Sequence, residues 1–171
     1  GANTAILDIN EERLAVIKES YPKANTMIST SETINKLLPN ADIVVGAVLT
    51  VGAKPPTLIT REMLKLLQPK SILSDVSIDQ GGCFETSKAT THDNPTYEVD
   101  GIIHYCVRNI PSAVPFTATN ALNEATRPYI LYLANNGLVG LKDNSELKMG
   151  LNTYKGHLLN KEVAEAHSLN H

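Results

Sequence analysis

The run ADIVVGAVL, residues 41–49, is continuously apolar, the pattern of a strand buried on both faces of a sheet. Such a strand needs a covering layer above and below, so the segments around it decide the fold. TAILDI (4–9) is a short apolar run. From Asn10 the pattern turns helical, with Leu14 and Ile17 on one side and a stop at Pro22. NTMIS (25–29) reads as a weaker strand, and Ser31 with Glu32 opens a short helix through Leu38 that Pro39 closes. Beyond the central run, Thr60 stands where a helix over REMLKLL (61–67) would be capped, with Pro69 ending it. SILSDVSI (71–78) and IIHYCV (102–107) complete the strands. Strands alternating with short helices at these spacings predict an α/β fold of βαβ units, with a mostly parallel sheet between helical layers. After Pro115 the character changes. Residues 117–137 form one long helical pattern with a kink expected at Pro128, and residues 138–171 hold two shorter helical pieces, NSELKMGL and NKEVAEAHSL, with no strand expected between them.

A hydrophobic share of 42% against 19% charged residues supports a packed core and excludes a disordered tail. With no Trp, six Tyr and two Phe, that core is expected to be aliphatic. Fifteen Lys and Arg against eighteen Asp and Glu give a net charge of −3, which offers no footprint for a nucleic-acid backbone. No apolar run approaches the roughly 18–20 residues of a membrane span, and GANTAILDIN has no basic segment leading into a hydrophobic one, so a soluble protein is expected. Cys83 and Cys106 sit in no CxxC or metal-ligand pattern. They read as reduced thiols, Cys106 inside a strand, and the default compartment is the cytoplasm.

Four segments carry candidate chemistry. Asp8 closes the first strand, where an acidic residue of a dinucleotide-binding fold accepts from the adenosine ribose hydroxyls; it serves equally well as the N-cap of the following helix. Val48–Leu49–Thr50–Val51–Gly52–Ala53–Lys54–Pro55–Pro56 follows the most apolar strand, at the carboxyl end where open α/β sheets bind ligands, although a plain turn has the same composition. Asp75–Val76–Ser77–Ile78–Asp79–Gln80–Gly81–Gly82–Cys83–Phe84–Glu85 packs polar residues and two glycines behind a strand. Asp79 there is placed to act as acid, base or anchor, or to start an Asx turn. The stretch Tyr105 to Pro115 runs from a strand into a loop fixed by two prolines, with Asn109 as a partner for an amide, and reads equally well as a plain strand-to-helix connection. The five histidines, at 92, 104, 157, 167 and 171, show no HxH or HExxH spacing, so no metal site is expected. No GxSxG nucleophile turn occurs.

Taken in order, AILDIN, ADIVVGAVLTVGAK, SDVSIDQGGCFETSKATTHDNPTY and HYCVRNIPSAVP closely resemble the alanine dehydrogenase/transhydrogenase α-subunit family, and more closely its alanine dehydrogenases. The likeness runs from about Ala2 through LNTYKGHLLNKEVAEAHSL, with IDQGGCFE and the following TTH and NPTY as its most specific elements. The resemblance implies NAD as cofactor and oxidative deamination of L-alanine to pyruvate and ammonium. It implies that Asp8 binds the adenosine ribose with Arg13 near the adenine, and that Ser29 contacts the adenosine part. Val48 and Leu49 would line the cofactor cleft, Val76 and Asp79 face the nicotinamide ribose, and Val107, Asn109 and Ile110 form the nicotinamide-side loop. Asp79 corresponds to the catalytic aspartate. Two positions depart from the family pattern: Ile110, where Met is commoner, and Arg108, where a small residue stands.

The resemblance also implies what lies outside these residues. The family's substrate-binding Lys and Arg, its acid/base His, the first Rossmann strand and its glycine turn all fall ahead of Gly1. The expectation is therefore a Rossmann-like sheet lacking its central strand, with residues 1–116 as a partial NAD-binding domain. Residues 117–171 would be helices that return to the substrate domain. With strand order 3-2-1-4-5-6, the strand of Asp8 and the strand at 43–49 would each expose an open edge, and the C-terminal helices would present apolar faces. These residues alone would not turn over alanine. The family is commonly a homohexamer. A non-enzymatic oligomerising or scaffold fragment, or a dehydrogenase for a neighbouring amino acid such as glycine, are the competing readings.

Overall fold

A computed structural model describes residues 1–50 and 52–169. Its strands lie in three sheets. Strands β1 (Ala5–Asp8) and β2 (Asn25–Ile28) pair in parallel, with Asp8 opposite Ile28. Helix α1 (Glu11–Ser20) crosses between them. Asn10, not Asp8, caps α1 by accepting from the Arg13 N–H at 3.0 Å. Glu11 and Glu12 in the first turn and Lys18 in the last suit the helix dipole. Helix α2 (Ser31–Leu37) follows, capped by Thr30.

The second sheet has the order β3 (Ile43–Gly46), β4 (Ile72–Asp75), β6 (Ile102–Tyr105), β5 (Thr96–Val99). Its first three strands run parallel and β5 is antiparallel to β6. Written side by side, β2-β1 and β3-β4-β6 reproduce the doubly wound order with one strand missing from the middle. Among the described residues β1 pairs only with β2 and β3 only with β4, so both expected open edges are present. The core lies against this sheet: Leu38, Ile59, Leu64, Leu67, Leu73 and Ile102 pack with Cys83 and Phe84, aliphatic except for one ring.

Several expectations need correction. The strand in 41–49 is shorter, and it is not buried on both faces, since Ile43 and Val45 are each 60% exposed. Their face has no cover among the described residues, whereas Val44 and Gly46 turn toward the core. Residues 61–67 give only a 3-10 turn, Glu62–Leu66, because the run is too short before Pro69 and Thr60 Oγ1 reaches the Met63 N–H at just 3.4 Å. The strand in 71–78 stops at Asp75, whose carboxylate accepts from the Ser77 N–H and turns the chain into a second 3-10 segment, Val76–Gln80. Strand β5 was not expected. Its hairpin with β6 is built on Asp100–Gly101, both at positive φ (51° and 82°), a strong two-residue turn signal.

Helix α3 (Pro115–Asn136) begins two residues ahead of the expected start and continues through Pro128 with no buried residue. Helices α4 (Ser145–Met149) and α5 (Lys161–Ala166) form as expected, but a hairpin, β7 (Thr153–Tyr154) with β8 (His157–Leu158), stands between them. Lys155 and Gly156 make its turn at positive φ. Phe116, Leu122, Ile130, Val139 and Met149 leave apolar surface exposed along this C-terminal part. No helix among the described residues is long and apolar enough to cross a membrane.

Candidate functional site

The candidate residues gather at the carboxyl ends of the parallel strands, in two clusters on the two sheets. At the end of β1, Asp8 Oδ1 accepts from the Asn10 N–H at 2.9 Å, while Oδ2 lies 4.0 Å from Arg13 Nη1. Ser29 is drawn beside Asp8, its N–H donating to the Asp8 carbonyl at 3.0 Å. Asp8, Asn10, Arg13, Val16 and Ile17 line an open cleft of about 490 Å³. Asp8 is partly exposed in this cleft with a cation nearby, which suits an acceptor for vicinal hydroxyls.

The second cluster is built on Asp75, fully buried at the end of β4. Its Oδ1 accepts from the Ser77 N–H at 3.0 Å, and its Oδ2 accepts from the Cys83 N–H at 2.9 Å and from the Ser87 hydroxyl. A buried carboxylate is tolerable only with donors supplied in this way. The loop that brings Cys83 back needs two glycines. Gly81 and Gly82 sit at φ 104° and 76°, and a side chain on Gly82 would meet Asp75 Oδ2 at 2.8 Å. Burial and the Asp75 charge push the Cys83 thiol up to about 12, so it is a packing group and not a nucleophile. Cys106 is buried and free as well.

From this base the chain presents Val76, about half exposed, and Asp79, exposed. Asp79 Oδ2 accepts the Asn109 N–H at 3.1 Å. Asn109 holds the left-handed conformation (φ 49°) that asparagine tolerates better than most residues, and it leads into the Ile110–Ala113 turn. His92 Nε2 braces that turn at 2.9 Å from Ser112 Oγ. Val48 is held by Ser77, and Leu49 projects from the same edge, 72% exposed. Val107 is fully buried, main chain included, and pairs with Thr90 in an isolated bridge, so the expected cofactor contact at Val107 is not exposed in this structure.

Asp79 and Gln80 share an open cleft of about 460 Å³ with Thr50, Gly52, Lys54 and His167. Lys54, inside a noted loop, and His167 were not singled out as site residues. The stem of Lys54 packs over Gly81. His167 arrives at the end of α5 from far along the chain, and no local motif signals it. His104 is structural: fully buried, it bonds Thr86 and the Ile102 carbonyl and stacks on Tyr97. No group of His, Cys, Asp or Glu among the described residues could hold a metal ion. Val51 and His171 lie outside the described residues.

A family profile, "Alanine dehydrogenase/PNT, C-terminal domain", matches residues 1–161. The chain belongs to this family. The alanine dehydrogenase of Staphylococcus haemolyticus is 49% identical over 99% of the chain and 46% of its own length, and alanine dehydrogenase 2 of Staphylococcus aureus is 49% identical over 97% and 45%. A solved L-alanine dehydrogenase superposes with a TM-score of 0.83 at 40% identity, over 98% of this chain and 47% of its own. A transhydrogenase from Sinorhizobium meliloti, at 22% identity and a TM-score of 0.60 over 69% of this chain, shares the fold. This member of the alanine dehydrogenase/PNT family thus spans about half the length of the curated relatives it matches.

Proposed function

We propose that these residues supply the NAD-binding half of an L-alanine dehydrogenase, which converts L-alanine, NAD and water to pyruvate, ammonium and NADH. Alanine dehydrogenases of this family are NAD-dependent oxidoreductases. What supports the reading is the pair of acidic residues, Asp8 at the carboxyl end of β1 and Asp79 in the turn that follows β4, each beyond a parallel strand of a different sheet. NAD supplies the hydride acceptor for the substrate Cα–H. Asp8 Oδ2 accepts from the ribose hydroxyls, Arg13 flanks the adenine, and Ser29 fixes the main chain beneath the adenosine. Leu49 and Val76 offer exposed apolar surface to the nicotinamide, with Val48 behind it and Asn109 and Ile110 on the far side, backed by the buried Val107. Asp79, oriented by the Asn109 N–H, faces the reacting centre.

In this reading residues 1–116 are the cofactor portion and 117–171 return to the substrate domain, whose Lys, Arg and His clamp and deprotonate the amino acid. The assembled enzyme is a cytoplasmic homo-oligomer.

NADH titration of the chain by calorimetry is the test. Asp8→Ala removes hydrogen bonds to a charged acceptor, each worth about 1.5–3 kcal/mol, so affinity falls at least about tenfold. Mixing the chain with the preceding half of a relative restores alanine-dependent NADH formation. No binding at millimolar NADH overturns the reading, and cofactor binding without alanine turnover in the mixture overturns the substrate.

A further inference from the structure

Val48 lies two residues beyond the end of β3, where the ladder no longer serves its main chain. Both of its backbone groups are nevertheless satisfied, and by one side chain. The Ser77 hydroxyl accepts from the Val48 N–H at 2.8 Å and donates to the Val48 carbonyl at 2.8 Å. Ser77 is buried and has its own N–H fixed on Asp75 Oδ1. It also stands in the same 3-10 turn as Val76 and Asp79. The loop that carries Leu49 and the cleft residue Thr50 is therefore pinned to the turn that carries Val76 and the cleft residue Asp79, through a single hydroxyl. Any change in their separation breaks two short hydrogen bonds together.

We propose that Ser77 is a positioning residue that sets the width of the nicotinamide end of the cofactor cleft, with Asp75 as its anchor. The proposal rests on the NAD-binding reading above. It specifies an asymmetry that a general structural role lacks. The adenosine end, at Asp8 and Ser29, is carried by the other sheet, which shares no strand with β3 or β4. Loosening the Ser77 clamp acts on the nicotinamide end and leaves the adenosine end alone. Asp75 holds the clamp from below through the Ser77 N–H, while its Oδ2 is itself fixed by the Cys83 N–H and the Ser87 hydroxyl.

The test is titration of the chain with NADH and separately with AMP, which reports the adenosine end alone, followed by amide chemical shifts. Ser77→Ala weakens NADH about tenfold, the loss of two hydrogen bonds, and leaves AMP affinity within about twofold. Ser87→Ala acts one step further away through Asp75. It weakens NADH about threefold with the same indifference of AMP, and it decides the matter alone if Ser77→Ala does not fold. Equal loss of NADH and AMP affinity overturns the proposal in favour of general destabilisation, and unchanged NADH affinity overturns it outright. If the unsubstituted chain binds neither compound, the NAD-binding reading itself fails, and the proposal with it. An unsubstituted chain that binds both, beside a variant that also binds both equally well, removes only the role of Ser77.

Discussion

Gly46 ends β3 directly over the loop that carries the candidate site, and its missing side chain is a packing requirement. A methyl group there would overlap Cys83 Sγ and lie 2.6 Å from Phe84 Cζ. Neither neighbour is free to retreat. Both are buried, the Cys83 N–H is held on Asp75 Oδ2 at 2.9 Å, and its sulfur lies 3.5 Å from Oδ1. Overpacking of this kind costs about 1–3 kcal/mol. For a chain of this size each kcal/mol lowers the melting temperature by about 2–4 °C, so Gly46→Ala should melt about 2–12 °C lower. The assay is thermal unfolding followed by far-ultraviolet circular dichroism, with urea midpoints as a second measure. Gly46→Ala combined with Cys83→Ala removes the nearest obstacle, and the double variant should be more stable than the sum of the singles by at least about 0.5 kcal/mol. An unchanged melting temperature in the single variant would refute the reasoning. Strict additivity in the double would show that the thiol is not the obstacle.

Burial holds the His104 imidazole below its ordinary range, so below about pH 6.5 the unfolded chain takes up a proton that the folded chain refuses. Stability is full above that pH and declines as pH falls toward the folded value; urea unfolding at about pH 7.5 and 5.5 should show the loss, and His104→Gln should reduce it. The Cys83 thiol, raised to about 12 by burial and by Asp75, should resist iodoacetamide in the folded chain and react only on unfolding. Labelling of Cys83 in the native state at the rate of a free thiol would contradict the packing described.

The strand-helix alternation was legible in the sequence because it depends on local periodicity and on breakers such as Pro22, Pro39 and Pro69. Asp8 was legible as a residue closing a strand, but the cap role offered for it falls to Asn10, which stands one residue before the first turn. The segment 75–85 stood out through its two glycines and its polar density. What could not be read was the division of labour between its carboxylates. Asp75 and Asp79 are alike in the chain, yet one is buried under three donors and the other is exposed on the Asn109 N–H. That difference is set by Ser87 and Asn109, which only the fold brings near. The apolar run at 41–49 misled for a related reason, since hydrophobicity records the cover a strand is adapted to, and among the described residues Ile43 and Val45 have none. Ser77 had no signal at all, because its partner is a main chain 29 residues away.

The two open edges described for β1 and β3 bear on affinity as much as on pairing. The adenosine end of the proposed cleft rides on one sheet and the nicotinamide end on the other, with no ladder between them among the described residues. A ligand that grips both ends must hold the two sheets in register, and that ordering is subtracted from its binding free energy. A parallel strand inserted between β1 and β3 would bear the same cost once, in advance, and join six strands into one stiff surface. Such a strand cannot come from a tight turn, since parallel neighbours need a crossover of a dozen or more residues. Preorganisation of the cleft is thus a property of the joined sheet, and cofactor affinity should rise with whatever fills the slot, even if the filling segment never touches the ligand.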